Sequence, residues 1–370
     1  MPPEIPAVTP AGADNASHHS KPTPKISGAA ARPLVVTMGE PAGIGGDIVL
    51  QAWQQTHAHG AAFFVIDDPA RLAALARRLN LSVPIVEIGA PSDAAGRFAT
   101  ALPVLPQSLA KPARPGQLDP ANGPAVIESI RRAVAFAMAG DVSAVVTNPI
   151  HKKALYDCGF RHPGHTEFLA ELTGLTTPSV MMLASATLRV VPVTIHLALR
   201  QAIESLRMDS ILHCARVTAE ALKIDFGIAA PRLAISGLNP HAGEDGAMGR
   251  EETDIIRPAI AALRDMGLIV AGPLPADTMF HAAARANYDA AICMYHDQAL
   301  IPLKTLAFDQ GVDVTLGLPI VRTSPDHGTA LDIAGSGRAN PASLIAALAM
   351  AGDIARRRLA HGAARLPSRV

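Results

Sequence analysis

Aromatic residues, excess charge of either sign and long apolar runs are scarce or missing in this sequence. The 32 basic residues are balanced by 32 acidic residues, so no global field favours nucleic acid or an anionic membrane surface. No uninterrupted apolar segment reaches the roughly 18 residues that a membrane-spanning helix requires. We therefore expect neither nucleic acid nor a membrane among the partners of this protein.

Cysteine is also scarce, and its spacing bears on the cellular compartment. Cys158, Cys214 and Cys293 lie far apart and form no CxxC pair, which argues against a disulfide framework and a zinc knuckle. Such cysteines are typical of the reduced core of a cytoplasmic protein. Residues 1–31 lack periodicity and show no signal-peptide pattern, so they predict a disordered tail.

Buried strands alternate with helical segments along the rest of the chain. Residues 34–37 (LVVT), for example, are an apolar run followed by a glycine-rich turn and then the helical pattern IVLQAW. This alternation predicts an α/β protein with a mostly parallel sheet and flanking helices. The glycine-rich turn matches neither the dinucleotide fingerprint nor a P-loop, so it indicates either an anion-binding turn or a purely structural one.

Three of the predicted buried strands each end in a polar loop that carries a histidine. They are residues 189–195 before His196, residues 233–235 before His241 and residues 290–294 before His296. The loops at the carboxyl ends of parallel strands converge on one crevice, and three imidazoles with an open position make a catalytic metal site. Zn²⁺ suits such ligands best, Co²⁺, Ni²⁺ and Fe²⁺ also fit, and Mg²⁺ is the alternative that prefers oxygen ligands.

Other side chains predict an anion-binding pocket. His165 and Thr166 follow Pro163-Gly164 at a helix start, where an imidazole, a hydroxyl and a helix N-terminus can together hold an anion. The alternative for His165 is a surface histidine near a helix end. Lys304 and Arg322 follow the strand before His296, and both residue types bind phosphate or carboxylate groups.

Seven segments resemble the 4-hydroxythreonine-4-phosphate dehydrogenase family of the vitamin B6 pathway, in order and over about residues 33–355. They are VTMGEPAGIGGDI, NPIHKKAL, PGHTEFLAEL, SGLNPHAGE, GPLPADTMF, MYHDQALIPLK and TLGLPIVRTSPDHGTALDIAG. The family oxidises the hydroxyl group of 4-phosphooxy-L-threonine with NAD or NADP, and the 3-oxo acid then loses CO₂ to give 3-amino-2-oxopropyl phosphate. The resemblance therefore implies a small phosphorylated substrate for this protein.

The same resemblance implies roles for individual residues. The divalent metal ligands fall on His196, His241 and His296. The substrate contacts fall on His165, Thr166, Lys304, Asp313 and Arg322. Asp277, Asp297 and Lys152 are alternative candidates for the base that accepts the hydroxyl proton. Members of the family are homodimers whose active sites draw residues from both subunits.

The implied fold is that of isopropylmalate and isocitrate dehydrogenases, with two lobes and a cleft between them. We therefore expect residues 32–150 plus 301–370 to form a first lobe on the cofactor side. Residues 151–300 would form a second lobe with the metal ligands and the dimer interface. The segment DHGTALDIAGSGRANP is similar to the adenosine-binding loop of those enzymes, which makes the following residues cofactor candidates: His327, Gly328, Ala330, Asp332 and Asn340.

Three departures from the family pattern bear on the substrate. Asp313 stands where the family has asparagine, and an acid there would repel phosphate unless it is protonated or turned away. Ala247 and Ala299 stand where histidine and glycine are usual. One alternative is therefore a dehydrogenase of another 4-phosphorylated hydroxy acid, such as a phospho-threonate. Another is a phosphotransacetylase-like transferase, which would work without a nicotinamide cofactor.

Overall fold

One sheet of twelve strands runs through the part of the chain that the computed structural model describes, residues 32–162 and 164–365. The predicted tail, residues 1–31, lies outside the described residues. The strands are β1 (Leu34–Thr37), β2 (Phe63–Asp67), β3 (Ile85–Glu87), β4 (Leu102–Pro106), β5 (Ala144–Val146), β6 (Val180–Ala184), β7 (Arg189–Thr194), β8 (Arg232–Ser236), β9 (Ile269–Leu274), β10 (Ala290–Tyr295), β11 (Val312–Leu316) and β12 (Arg322–Pro325).

Helices connect most of these strands and cover both faces of the sheet. They are α1 (Gly45–Thr56), α2 (Pro69–Arg78), α3 (Ala94–Arg97), α4 (Gly123–Ala139), α5 (Lys152–Asp157), α6 (His165–Leu172), α7 (Leu199–Ser205), α8 (Met208–Ile224), α9 (Arg257–Asp265), α10 (Ala282–Arg285), α11 (His296–Ala307) and α12 (Ala342–Arg365). Within the described ranges, no helix combines the length and the hydropathy of a transmembrane span.

The strand order is β3-β4-β2-β1-β5-β12-β11-β6-β7-β10-β8-β9. Neighbours are parallel on both sides of the sheet, and the antiparallel pairs β12-β11, β11-β6 and β6-β7 lie at its centre. The prediction of an α/β protein with a mostly parallel sheet is therefore confirmed. The predicted lobes stay a prediction, because the strands assigned to the two lobes belong to one continuous sheet.

The alternation of side chains along a strand explains why both faces carry helices. Leu34 and Val36 on β1 point into an apolar core formed with α1 and α12, whereas Val35 points into a second core formed with α4. All three are fully buried, as is usual for a parallel strand covered on both faces. Each large apolar side chain buried in this way contributes about 1.5–3 kcal/mol.

The sheet order positions the three histidine loops. The strands β7, β10 and β8 are adjacent and mutually parallel, so their carboxyl ends meet at one edge of the sheet. His196 follows β7, His296 opens α11 directly after β10, and His241 lies in the loop after β8. The prediction that these three loops share an edge is confirmed.

The glycine-rich turn after β1 generates a prediction about stability. Gly39 has a φ of +69°, and a Cβ there would lie 2.6 Å from the Cβ of Asn148 and 2.8 Å from the carbonyl oxygen of Pro149. Gly39→Ala should lower the free energy of unfolding by about 1–3 kcal/mol through overpacking and backbone strain. Urea denaturation at fixed protein concentration measures the change.

The matched control is Gly96→Ala in α3. No other atom lies within 4 Å of a Cβ built at Gly96, so alanine there should be neutral or stabilising by up to about 1 kcal/mol. Equal losses in the two variants would contradict the role of the tight turn at Gly39.

Candidate active site

A cavity of about 450 Å³ lies at the ends of β5, β7 and β12 and the starts of α6 and α11. Ligand sites of this size are concave and carry a few converging polar groups. Most residues that the sequence predicts for the metal, substrate, base and cofactor roles line this cavity. They are Lys152, His165, Thr166, His196, His296, Lys304, Asp313, Arg322, His327 and Gly328.

A larger cavity of about 580 Å³ lies beside α2 and the glycine-rich turn, but its chemistry is poorer. Its most buried cation, Arg71, forms an ion pair with Asp67 at 2.7 Å and donates to the carbonyl oxygen of Pro41 at 2.9 Å. The guanidinium group is therefore already satisfied within the protein. We place the candidate site in the 450 Å³ cavity, because most of the predicted residues line it and three of its buried polar atoms lack partners among the described residues.

Three buried polar atoms on the wall of the 450 Å³ cavity have no hydrogen-bond partner among the described residues. They are Asn148 Oδ1, His165 Nε2 and His327 Nε2. Asn148 Nδ2 faces the carbonyl oxygens of Thr37 and Gly45, so its orientation fixes Oδ1 as the free acceptor. A buried unpaired polar atom costs about 1–3 kcal/mol, which favours a polar ligand at this place.

Arg322 is buried and all five of its N–H donors have partners. Nη1 donates to Asp313 Oδ2 at 2.7 Å and to Thr315 Oγ1 at 2.8 Å. Nη2 donates to Thr147 Oγ1 at 2.7 Å and to Ser324 Oγ at 3.0 Å, and Nε donates to Thr147 at 3.2 Å. The acid at position 313 is therefore neutralised by Arg322, which answers how a carboxylate is accommodated in a pocket predicted to bind phosphate.

Lys304 also has a carboxylate partner. Its Nζ lies 3.1 Å from Asp326 Oδ2 and donates to the carbonyl oxygen of Asp326 at 3.3 Å. Burial raises the pKa of the Asp326 carboxyl, and the nearby Lys304 partly offsets that effect. Lys152 on α5 is exposed at the mouth of the cavity and forms no ion pair with a described residue.

His165 is the first residue of α6 and is held neutral. Burial lowers its pKa to about 3, and the positive charges of Arg322 and Lys152 act in the same direction. At neutral pH the imidazole is uncharged and can donate one hydrogen bond to a ligand. The residue as a whole is only partly buried, but its Nε2 atom is fully buried in the cavity wall, which favours a role for His165 in the cavity over that of a surface histidine.

His196 and His296 face each other across the other end of the cavity. Their ring centroids are 5.8 Å apart, and both rings also border a smaller cavity of about 260 Å³. Burial lowers the pKa of His196, and the charges of Lys152 and His296 add to that effect. The Nδ1 of His296 lies 2.7 Å from Asp297 Oδ1, a contact that orients a histidine ligand and leaves Nε2 available.

His241 does not join this pair within one chain. Its side chain is 60% exposed, lines neither cavity and has its Nδ1 2.9 Å from Glu244 Oε1. Among residues 32–162 and 164–365, no three His, Cys, Asp or Glu side chains lie close enough to hold a metal ion. The expectation of three imidazoles around one point therefore fails for a single chain. The assignment of His241 as a ligand stays a prediction that requires a second copy.

The backbone after β8 explains this position. From His241 to Asp245 five successive residues have positive φ, between +40° and +79°, and form a left-handed turn. Only Gly243 among them is a glycine. Left-handed backbone costs about 1–2 kcal/mol for each non-glycine residue, so the turn is strained. His196 also has a φ of +52°, so two of the three candidate ligands sit in sparsely populated backbone conformations.

The candidates for the general base occupy different places. Lys152 lines the cavity, as described above. Asp297 borders the 260 Å³ cavity and contacts His296, while its own side chain is 70% exposed. Asp277 is exposed between β9 and α10 and lines none of the cavities described here. The structure thus brings two of the three candidates to the histidine pair and leaves Asp277 apart.

The cofactor candidates lie along the loop between β12 and α12. His327 and Gly328 line the main cavity, whereas Ala330, Asp332 and Asn340 do not. The loop is fastened to the amino-terminal region by Ile44, whose N–H donates to the Thr329 carbonyl oxygen at 3.0 Å. Asn340 Oδ1 accepts from the N–H of Ala342 at 3.0 Å and so caps α12. The roles of these five residues in binding the cofactor stay predictions.

Sequence reasoning missed three residues of the site. Asn148 and Asp326 line the cavity, and Thr147 holds Arg322. Thr147 and Asn148 are the first two residues after β5, and this position after a buried strand was the signal that could have identified them. The partnership of Asp326 with Lys304 joins residues 22 positions apart and leaves no pattern in the sequence.

Comparison with known proteins identifies the family of this chain. Residues 59–351 match the family model for the pyridoxal phosphate biosynthetic protein PdxA. The chain is 55% identical over 338 residues to the 4-hydroxythreonine-4-phosphate dehydrogenase of Bradyrhizobium diazoefficiens, covering 88% of this chain and 98% of that protein.

Two solved structures show the same relationship in three dimensions. The 4-hydroxythreonine-4-phosphate dehydrogenase of Klebsiella pneumoniae is 38% identical with a TM-score of 0.79, covering 88% of this chain and all (100%) of that one. The terephthalate 1,2-cis-dihydrodiol dehydrogenase of Burkholderia xenovorans LB400 is 29% identical with a TM-score of 0.59, covering 87% of this chain and 98% of that one. The resemblance carried by the seven sequence segments is confirmed. The chain belongs to the PdxA family of pyridoxal phosphate biosynthesis, the 4-hydroxythreonine-4-phosphate dehydrogenases.

Proposed function

We propose that this protein oxidises and decarboxylates 4-phosphooxy-L-threonine with NAD or NADP, giving 3-amino-2-oxopropyl phosphate. The observation that carries the proposal is the convergence of two facing imidazoles and three cationic side chains in one cavity. The cations are Lys152, Lys304 and Arg322. A substrate with a phosphoryl group and a carboxylate requires such cations, and its oxidation requires the reacting carbon to be held in one orientation.

Charge balance explains how the cavity accepts that substrate. Lys304 and Arg322 are each paired with a carboxylate, so their charges are balanced within the protein. The phosphoryl group competes with Asp326 for Lys304, and neutral His165 donates a hydrogen bond without adding a charge. Asn148 Oδ1 accepts from an N–H or O–H group of the bound molecules.

The reaction transfers a hydride from the carbon that bears the hydroxyl group and a proton from the hydroxyl oxygen. The nicotinamide accepts the hydride, and Lys152 is the base candidate that lines the main cavity. Loss of CO₂ from the 3-oxo acid leaves an electron pair on the adjacent carbon, which takes up a proton to complete the ketone. Asp297 acts through His296, whose ring it orients. Asp277 stays an alternative base, although it is exposed and does not line the cavity within one chain.

A divalent metal would be held by His196 and His296 of one subunit and His241 of the partner subunit, and would polarise the reacting oxygen. The donor set fits in part within one chain, because the imidazoles of His196 and His296 already face each other. Imidazole ligands favour Zn²⁺, with Co²⁺, Ni²⁺ and Fe²⁺ as alternatives, and oxygen-preferring Mg²⁺ fits least well.

Exposed apolar side chains beside the histidine pair support a homodimer with shared active sites. Leu197 and Leu199 border the 260 Å³ cavity and are 46% and 58% exposed. Ile301 on α11 and Phe308 just after it are 63% and 72% exposed. Covering such side chains with a second copy removes apolar surface from water and is favourable.

Cysteine chemistry supports placing the protein in the cytoplasm. All three cysteines are free thiols. Burial raises the pKa of Cys214 to about 11 and raises that of Cys293 as well, so both are inert core residues at neutral pH.

The substrate can be tested directly. The protein should reduce NAD⁺ or NADP⁺ with 4-phosphooxy-L-threonine and should prefer it to phospho-threonates by at least about ten-fold in kcat/KM, as expected for the loss of one charged contact. Absorbance at the reduced-nicotinamide band measures the rate. A preference for a phospho-threonate would establish the alternative dehydrogenase, and turnover without a nicotinamide would establish the transferase.

The charge at Arg322 and Asp313 should set substrate affinity. Asp313→Asn removes an acid from the pocket while its amide oxygen still accepts from Arg322, so KM for the phosphorylated substrate should fall about three-fold or more. Arg322→Ala should raise that KM about ten-fold or more, and raise the KM for the nicotinamide far less. A rise in KM with Asp313→Asn would show that the acid itself contacts the substrate.

The shared metal site predicts complementation between subunits. His196→Ala and His241→Ala homodimers should each lose metal and activity. A mixed dimer retains one complete site, so equal random mixing should restore roughly a quarter of wild-type activity. Mixtures that exchange subunits and stay inactive would show that His241 does not act across the interface.

A further inference from the structure

The left-handed turn that carries His241 requires something to hold it. Residues 241–245 are strained, as described above, and Gly246 continues the run with a φ of +102°. Backbone hydrogen bonds inside the turn include those from Ala247 to the Glu244 carbonyl oxygen and from Met248 to that of Gly243, both at 3.1 Å. These local bonds close the turn but do not fix it to a neighbouring element of the fold.

A buried carboxylate that the proposed mechanism does not use provides that attachment. Glu252 is 1% exposed and opens the π-helical turn Glu252–Ile256 that precedes α9. Its Oε1 accepts from the N–H groups of Leu238 and Asn239, both at 2.7 Å, and its Oε2 accepts from Asn239 Nδ2 at 2.9 Å. Leu238 and Asn239 lie immediately before Pro240, and the left-handed turn begins at the next residue, His241.

The turn packs directly against the same carboxylate. A Cβ at Gly243 would lie 2.6 Å from Glu252 Oε2, and a Cβ at Gly237 would lie 3.1 Å from Oε1. Glycine at these two positions therefore lets the chain close around Glu252. No cation forms an ion pair with Glu252 among the described residues, so its charge is satisfied by N–H donors of this segment.

We propose that Glu252 is a positioning residue that holds the strained left-handed turn and thereby directs the His241 ring outward. This inference rests on the proposed function, in which His241 completes a metal site of the partner subunit. The carboxylate secures the start of the turn, and the contact of Glu244 with Nδ1 leaves the Nε2 of His241 available to a ligand outside its own chain.

The test compares Glu252→Gln with wild type in the full-length protein. A glutamine keeps one acceptor oxygen and replaces the other with an N–H₂ group, so the hydrogen bonds that one of the two Glu252 oxygens accepts are lost. In the metal-free protein, hydrogen exchange of the amides in residues 237–249 should quicken about ten-fold or more. Zn²⁺ affinity, measured by competition with a chromophoric chelator, should fall on the order of ten- to a hundred-fold. Asp254→Asn, which alters an exposed acid that forms an ion pair with Arg250, should change neither.

A rescue experiment separates positioning from general damage to the fold. Asp245 has a φ of +53°, and its 90% exposed side chain forms an ion pair with Arg257. Asp245→Gly relieves the backbone strain, whereas Asp245→Ala removes the same ion pair and keeps the strain. When it is combined with Glu252→Gln, Asp245→Gly should restore at least half of the loss in the logarithm of the Zn²⁺ affinity. The combination of Glu252→Gln with Asp245→Ala should restore none of it.

Several results would overturn the inference. Wild-type exchange and Zn²⁺ affinity in Glu252→Gln would do so, as would equal rescue, or none, by glycine and alanine at 245. Where Glu252→Gln does not fold, Glu252→Asp replaces it, because the shorter carboxylate cannot reach all three donors and should give an intermediate loss. Zn²⁺ affinity that is unchanged in His241→Ala would instead refute the proposed function, while the exchange result would still report on the turn.

Discussion

The parallel arrangement of β7, β10 and β8 is the constraint on which the candidate site depends. Strands that run in one direction end at one edge, so three residues far apart in the sequence are delivered to the same region. The chain uses this edge for imidazoles and the antiparallel centre of the sheet for Arg322. The antiparallel strands β11 and β12 bring Asp313 and Arg322 within 2.7 Å of each other.

Charge compensation is the second organising feature of the cavity. Arg322 and Lys304 are embedded among acceptors that satisfy them, because a buried cation without partners is costly. The arrangement orients both side chains before a substrate arrives. It also leaves neutral His165, His327 Nε2 and the free oxygen of Asn148 on the cavity wall without hydrogen-bond partners among the described residues. Specificity in such a pocket arises from unmatched polar atoms as well as from net charge.

Strain at the same edge complements this compensation. His196 and His241 both have left-handed backbones, which are maintained only where surrounding contacts over-determine them. For His241 those contacts converge on the buried carboxylate of Glu252. The cost of the turn is met by hydrogen bonds and packing within the subunit, while the histidine that it presents faces away from its own cavity. Such a division links the folding of one subunit to the function proposed for its partner.

Sequence patterns by themselves determined the α/β class, the shared edge of the three histidine loops and the family. Each of these depends on local periodicity or on short motifs, which can be recognised in the sequence without knowing the tertiary contacts. Hydrophobic runs set the strands, and residues such as Lys304 and Arg322 were identified by their position after those strands.

Only the tertiary structure decided which of these residues meet. The separation of His241 from His196 and His296 follows from a left-handed turn that involves four non-glycine residues, a conformation that residue identity does not favour. The pairing of Arg322 with Asp313, and of Lys304 with Asp326, depends on strand and loop packing between distant residues. Side-chain partnership is set by three-dimensional packing, and a pattern along one chain does not contain it.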